Sequence, residues 1–171
     1  MPQHINPGLK EIETMNPIGL ISMQYARPFT AEHFPLFDKM KSLGYDFVEL
    51  LVPEPGELDP AETSRALKDA GLGVVLAARV NLQRNLCSDD ASARAAGVDY
   101  LRYATDVAAA MGSTIVGGPL TGNPLVFAGR PPQPVSDDQR KARKDHAVEG
   151  LRAAGEHAAK AGVMLAVEPL N

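Results

Sequence analysis

Five short runs of apolar residues recur along the chain, at 18–25, 47–52, 74–78, 114–116 and 163–167. The runs are apolar almost throughout and do not alternate with polar residues. This pattern is typical of strands that are buried on both faces of a parallel sheet. We therefore predict five strands, separated by longer segments of mixed polarity.

A glycine precedes each of the last four runs, and each glycine follows a helix-like segment. A glycine just past a helix end readily adopts the left-handed conformation that other residues resist. Four helix ends are therefore predicted, at Gly44, Gly71, Gly112 and Gly162.

The segments before these glycines also carry signals of a helix start. Residues 59–62 and 136–139 have the sequences of capping boxes, and the first adds a proline at the first helical position. Thr30 is a candidate cap for the first helix, and residues 88–90 open the third. Small and apolar residues mark the inner faces of the last two helices, at Leu101, Ala104, Thr105 and Ala108 and at Leu151, Ala154, Ala158 and Ala161.

The predicted order βαβαβαβαβ identifies an α/β protein and fits two architectures. A doubly wound sheet would add a covering helix after the fifth strand, but only residues 168–171 follow that run. Residues 24–28 also lack the glycine-rich phosphate loop of such folds. We therefore favour a (β/α)8 TIM barrel, of which this chain holds roughly the first five strands and four helices. Residues 1–14 are predicted to be a disordered leader, and residues 15–171 the N-terminal portion of a single barrel domain.

Composition and charge narrow the class of protein. The formal net charge is -4, from 17 basic and 21 acidic residues, and no basic block is present, so nucleic-acid binding is not expected. No apolar run approaches the ~20 residues of a membrane span. The single cysteine, Cys87, excludes an intramolecular disulfide and fits a cytoplasmic location.

Active sites of barrels lie at the carboxyl ends of the strands, and this rule selects the candidate residues. The candidates are Tyr25 and Arg27 after the first run, Glu49 near the end of the second, Arg79 and Asn81 after the third, Gly117 and Gly118 after the fourth, and Glu168 and Asn171 after the fifth. A strand-end glutamate such as Glu168 could also be merely solvated. Glu49 could equally be a structural carboxylate paired with Arg79, and the two glycines could only form a tight turn.

Two further features bear on the site. Residues 117–135 form a long segment rich in glycine and proline, which predicts a loop over a substrate pocket. The four histidines lie in the leader or on helices away from the strand ends. We therefore do not expect His4, His33, His146 or His157 to bind a metal.

Residues 166–171, with the sequence Ala-Val-Glu-Pro-Leu-Asn, resemble the fifth-strand signature of the sugar isomerase/epimerase superfamily, the xylose isomerase-like barrels. Within it, the likeness is greatest to the D-tagatose 3-epimerase-type ketose 3-epimerases. Further matches lie at residues 47–50, 115–120 and 147–151, and the resemblance extends from about residue 18 to residue 171.

This resemblance implies an isomerase that epimerises a ketose at C3 through an enediolate with a pair of glutamates. It implies a divalent metal, Mn, Mg or Co, held by two glutamates, an aspartate and a histidine. Glu168 matches the first glutamate, as metal ligand and acid/base, and the remaining ligands are expected beyond Asn171. Glu49, Gly118 and Asn171 are expected to bind the sugar.

The resemblance leaves other functions open. Hydroxypyruvate isomerases and inosose dehydratase-like enzymes share the fold. A further alternative is an inactive half-barrel that acts only in assembly. An opened barrel exposes its first and fifth strands as edges, so we expect a homo-oligomer.

Overall fold

The computed structural model describes residues 16–122 and 134–169, and its strands form one parallel sheet. Neighbouring strands in the sheet are also neighbours in the sequence, in the order β1 (Gly19–Ile21), β2 (Phe47–Leu51), β3 (Gly73–Ala77), β4 (Ile115–Gly118) and β5 (Met164–Val167). This sequential order is that of a barrel wall, whereas the order of a doubly wound sheet reverses at a switch point. The predicted barrel architecture is therefore confirmed, and the predicted leader, residues 1–14, lies outside the described residues.

Four helices connect the strands as predicted, namely α1 (Pro35–Ser42), α2 (Pro60–Ala70), α3 (Ala91–Met111) and α4 (Asp137–Lys160). All four predicted helix ends carry a glycine with positive φ: Gly44 at 91°, Gly71 at 70°, Gly112 at 85° and Gly162 at 69°. None of the helices in the described residues is long and apolar enough to cross a membrane.

The predicted helix caps are mostly formed. Ser136 and Gln139 make a reciprocal capping box, with N–H to side-chain distances of 3.2 and 3.0 Å. Asp59 accepts a hydrogen bond from the Glu62 N–H at 2.7 Å, but Glu62 returns none within the described residues, so only half of the predicted box exists.

Two predictions near the N-terminus are wrong in detail. The first strand ends at Ile21, because residues 22–24 turn into a short 3-10 helix in which the Ser22 carbonyl accepts the Tyr25 and Ala26 N–H groups. Thr30 caps another short 3-10 helix, Ala31–His33, and not the first α-helix. That helix starts at Pro35, whose missing N–H costs nothing at a first helical position.

The helices cover one face of the sheet. Val48 and Leu50 of β2, Leu76 of β3 and Val116 of β4 are fully buried, and the helices contribute a buried set comprising Leu101, Ala104, Thr105, Ala108, Ala154 and Ala158. Leu151 is partly buried, but Ala161 lies beyond the end of α4 and is exposed. The predicted inner faces of α3 and α4 are thus correct except at Ala161.

The opposite face of the sheet is open in the described residues. Phe47, Glu49 and Leu51 alternate with the buried residues of β2 and are only half-buried, and Met164 of β5 is 59% exposed. Burial of the strands on both faces was therefore not found, because the described helices pack on one side only.

Leu86, in the loop after β3, wedges between the two long helices. A Cβ atom added at Gly97 of α3 would lie 3.0 Å from a Leu86 methyl, and one added at Gly150 of α4 would lie 2.8 Å from the same methyl. The two glycines therefore make room for one buried leucine where α3 and α4 meet.

Candidate functional site

A cavity of about 560 Å³ lies at the carboxyl end of the sheet. Strands β1 to β4 contribute to its wall, through Ile21, Glu49, Leu51, Ala77 and Gly118, and so does Glu168, which directly follows β5. The rule that barrel sites gather at strand ends thus brings Glu49, Gly118 and Glu168 to one place, although their roles stay predictions.

Glu168 is held by its backbone at this mouth. It directly follows β5, and its N–H donates to the Gly118 carbonyl at 2.9 Å, which extends the pairing of β4 and β5 by one step. The residue is exposed, so its carboxylate is accessible to a ligand in the cavity.

Gly118 occupies a position that only glycine fits. Its φ is +114°, and an added Cβ would lie 2.3 Å from the Ala78 carbonyl oxygen. Its own carbonyl accepts the N–H groups of Glu168 and Leu120, at 2.9 and 2.8 Å. Gly118 therefore both turns the chain and fixes the backbone of Glu168. At Gly117 an added Cβ would make only ordinary contacts, the nearest at 3.8 Å.

Glu49 is half-buried and has an altered acidity. Burial raises the pKa of Glu49 above its ordinary value of 4.5, and the negative charge of Glu168 raises it further. The alternative of a Glu49–Arg79 ion pair is not formed in the described residues. Glu49 therefore holds a proton more readily than a solvated glutamate would.

Sequence reasoning missed an ion pair in the same wall. Arg84 binds both carboxylate oxygens of Glu54, at 2.7 and 3.4 Å, and its guanidinium carbon lies 3.8 Å from the centroid of the Tyr100 ring. The Tyr100 hydroxyl in turn accepts the backbone N–H of Arg79 at 3.4 Å. The position of Arg84 after β3 was a usable signal, whereas nothing in the sequence singles out Tyr100 on α3.

A smaller recess of about 240 Å³ adjoins the cavity, and we call it the arginine recess. It shares part of its wall with the cavity, namely Arg27, Leu51, Glu54, Ala77, Arg79 and Arg84. Arg27 and Arg79, both selected by the strand-end rule, are exposed in these walls.

The remaining candidates have local roles or lie elsewhere. Asn81 lines the cavity, and its side chain accepts the Gln83 and Arg84 N–H groups at 2.9 Å each, so it shapes the loop. Tyr25 is 38% exposed, and the Lys39 ammonium lies 5.6 Å from its ring centroid; it does not line the cavity. Asn171 and residues 123–133 of the predicted loop lie outside the described residues.

The histidines of the described chain stay away from the cavity, as expected. His33 closes the turn at Thr30, with its ring nitrogen 3.0 Å from the threonine hydroxyl. His157 on α4 contacts Asp106 on α3 at 2.6 Å. His146 also lies on α4, and His4 falls outside the described residues.

The cavity contains side chains of the type that bind a metal, but too few of them lie close together. Carboxylate oxygens such as those of Glu49 and Glu168 suit hard cations like magnesium and manganese. Within residues 16–122 and 134–169, however, no three side chains of the types His, Cys, Asp and Glu lie close enough together to hold an ion. These residues therefore do not complete a metal centre.

The sequence is similar to two curated epimerases. It is 28% identical over 157 residues to the D-psicose 3-epimerase of Agrobacterium fabrum (strain C58 / ATCC 33970), covering 90% of this chain and 52% of that protein. It is 28% identical over 128 residues to the L-ribulose 3-epimerase of Methylomonas sp. (strain DH-1), covering 75% and 42%. The chain thus spans about half the length of the curated relatives that it matches.

Solved structures give the same picture. A structure of L-ribulose 3-epimerase superposes with a TM-score of 0.80 at 23% identity, over 92% of this chain and 50% of that one. A D-psicose 3-epimerase crystallised in the presence of D-fructose superposes with a TM-score of 0.76 at 25% identity, over 91% and 53%. The five strands and four helices therefore match about half of a barrel.

Residues 37–171 match the sequence profile of the xylose isomerase-like TIM barrels. The resemblance stated from residues 166–171 is thereby confirmed, together with the likeness to ketose 3-epimerases. From this profile match, from the sequential parallel sheet and from the cavity at its carboxyl end, the chain belongs to the xylose isomerase-like TIM barrel family.

Proposed function

We propose that this chain is part of a sugar isomerase that epimerises a ketose at C3. The observation that carries the proposal is the placement of Glu168, which is fixed at the end of β5 and lines one cavity with Glu49. The names of the similar proteins, D-psicose 3-epimerase and L-ribulose 3-epimerase, support the same reaction class.

Inversion at C3 requires the removal of a proton next to the ketose carbonyl and its return on the opposite face. In our proposal Glu168 transfers the proton on one face, and a second glutamate outside the described residues serves the other. Loss of the proton places its electron pair in an enediolate of the sugar, and reprotonation at C3 restores the ketose.

We propose a divalent metal, Mn, Mg or Co, as cofactor, with Glu168 as one ligand. The other ligands would come from outside the described residues. Such an ion would stabilise negative charge on the oxygens of the enediolate.

The other site residues are proposed to bind the sugar. A protonated Glu49 can donate a hydrogen bond to a hydroxyl or carbonyl oxygen of the ligand, and its raised pKa supports this role. Gly118 lets the backbone approach the ligand closely, and Asn171 completes the proposed set.

Deuterium exchange tests the reaction directly. The full-length gene product is incubated with D-fructose or D-tagatose in D2O, and deuterium at C3 is followed by NMR, with and without a chelator. Glu168→Gln should abolish exchange, whereas Glu156→Gln, an exposed position on α4, should leave it intact. Exchange that survives both the chelator and Glu168→Gln contradicts the mechanism.

A different product would indicate one of the related reactions. Isomerisation of hydroxypyruvate or dehydration of an inosose, with no exchange at C3 of the ketoses, would favour the corresponding enzyme of the same fold.

We also propose that the chain self-associates in the cytoplasm. Within the described sheet, β1 and β5 each have one neighbouring strand, and Ile18, Met164 and Val167 are 52%, 59% and 46% exposed. These features also favour the alternative of a half-barrel that acts only in assembly. Sedimentation velocity tests self-association, and a monomer with a cooperative melt contradicts it.

A further inference from the structure

Three arginines stand in the wall shared by the cavity and the arginine recess, but only one of them is neutralised. Arg84 is paired with Glu54. Within residues 16–122 and 134–169, neither Arg27 nor Arg79 forms an ion pair. The only hydrogen bond of the Arg27 guanidinium within these residues goes to the Met23 sulfur, at 3.3 Å, and this sulfur is a weak acceptor.

The acidic side chains are unevenly placed around these arginines. Glu49 and Glu168 line the cavity but not the recess. In the recess, Glu54 is committed to Arg84, and the Glu57 carboxylate accepts the Glu54 N–H at 2.8 Å. Residues 117–135 contain no aspartate or glutamate that could pair with an arginine. The recess wall therefore carries three arginines against two glutamates, whereas Glu168, the proposed proton-transfer group, lines only the larger cavity.

The recess is also preorganised. Arg84 is fixed between the Tyr100 ring and the Glu54 carboxylate. Two buried polar atoms of residues that line the recess have no hydrogen-bond partner in the described residues, namely the Arg84 Nε and the Oγ of Ser22, a residue that is 1% exposed. Burial of polar groups without partners is costly, so a water or ligand oxygen that reached either atom would stabilise this wall.

We infer that the arginine recess binds an anionic oxygen group of the substrate, with Arg27 and Arg79 as its principal ligands. The preferred substrate class is then a ketose that carries a phosphate ester or a carboxylate, with a neutral ketose bound more weakly. Guanidinium groups match both oxyanions because their planar N–H donors can bind two oxygens at once. This inference rests on the proposed function, because it concerns the end of the sugar that is remote from the carbon reacting at Glu168.

Calorimetric titration of the full-length gene product tests the inference with four probes: inorganic phosphate, D-fructose 6-phosphate, D-fructuronate and D-fructose. We expect one of the two anionic sugars to bind at least about tenfold more tightly than D-fructose. The phosphate ester and the carboxylate arms identify which oxyanion the site takes. Equal affinity for D-fructose and both anionic sugars would overturn the inference.

Charge-removing variants locate the binding. Arg27→Gln and Arg79→Gln should each weaken the anionic sugar about tenfold, with thermal melts confirming that the variants fold. Arg65→Gln, at an exposed position on α2, is the matched control and should bind like the parent protein. Unchanged affinity in the Arg27→Gln/Arg79→Gln double variant would overturn the inference.

The two proposals fail in different ways. Anion binding that depends on Arg27 and Arg79, without exchange at C3 of any ketose, upholds the recess and rejects the epimerase. Exchange at C3 of neutral D-fructose, with no binding of phosphate or either anionic sugar, upholds the epimerase and rejects the recess.

Discussion

Glu49 lies on the second strand and Glu168 directly follows the fifth, yet both line one cavity, and the charge of Glu168 adds to burial in raising the pKa of Glu49. Two strands separate β2 from β5 in the sheet. A flat sheet with strands about 4.8 Å apart would keep these side chains well over 10 Å from each other, so curvature of the sheet brings them into range. The curvature is therefore part of the electrostatics of the site.

We expect Glu168→Gln to lower the pKa of Glu49, because the neutral amide removes the negative charge that disfavours ionisation of Glu49. The pKa should stay above its ordinary value of 4.5, since burial is the larger cause of the shift. Titration of the carboxyl carbons by NMR measures the change. Glu156→Gln serves as control, and an unchanged or higher pKa of Glu49 in Glu168→Gln contradicts the coupling.

The same shift predicts a pH dependence of stability. Because the pKa of Glu49 is higher in the folded protein than in the unfolded chain, its stabilising contribution is full below about pH 4.5 and is lost as the pH rises through the raised value. Glu49→Gln cannot ionise. The free energy of unfolding of this variant, relative to the parent protein, should therefore increase between about pH 4 and about pH 7 in urea titrations. A constant difference would show that Glu49 titrates normally.

Gly118→Ala should destabilise the protein by at least about 2 kcal/mol, because it adds a clash with the Ala78 carbonyl and strains a backbone at positive φ. The variant should also lose activity, since Gly118 fixes the Glu168 backbone. Gly155→Ala on α4 is the matched control. No atom lies within 4 Å of a Cβ added there, and a helical alanine should stabilise by about 0.5–1 kcal/mol. Urea unfolding distinguishes the two, and equal effects would contradict the packing at Gly118.

Asp59→Ala should cost about 1 kcal/mol, because it removes the acceptor for the first turn of α2. Asp59→Asn retains an acceptor oxygen at the same place and should cost less. Thermal unfolding of both variants measures the difference. If the Asn and Ala variants are equally destabilised, the negative charge of Asp59, and not its hydrogen bond to the helix, stabilises α2.

The features that could be predicted from the sequence are those that depend on local physics. Positive φ at Gly71 follows from its place after a helix, and the cap at Ser136 follows from residues three positions apart. Glu168 could be placed because it directly follows an apolar run. The turn at Ser22–Gln24 could not be predicted, since no glycine or proline marks the end of the strand at that point.

The parts of the site that sequence reasoning missed depend on long-range packing. Arg84 pairs with Glu54, which lies 30 positions earlier in the sequence. It also contacts the ring of Tyr100 on α3, a residue that no sequence motif singles out. The raised pKa of Glu49 depends first on its burial and then on the approach of Glu168 from the far side of the sheet. Neither relationship leaves a periodic signal in the sequence.

The packing of Leu86 between α3 and α4 also affects the arginine recess. Leu86 is two positions from Arg84, so the loop that carries the recess arginine is anchored at the contact of the two long helices. Substitutions on the outer surface that change the spacing of these helices would shift this anchor. Selection for ligand preference could thus act on residues that never touch the ligand.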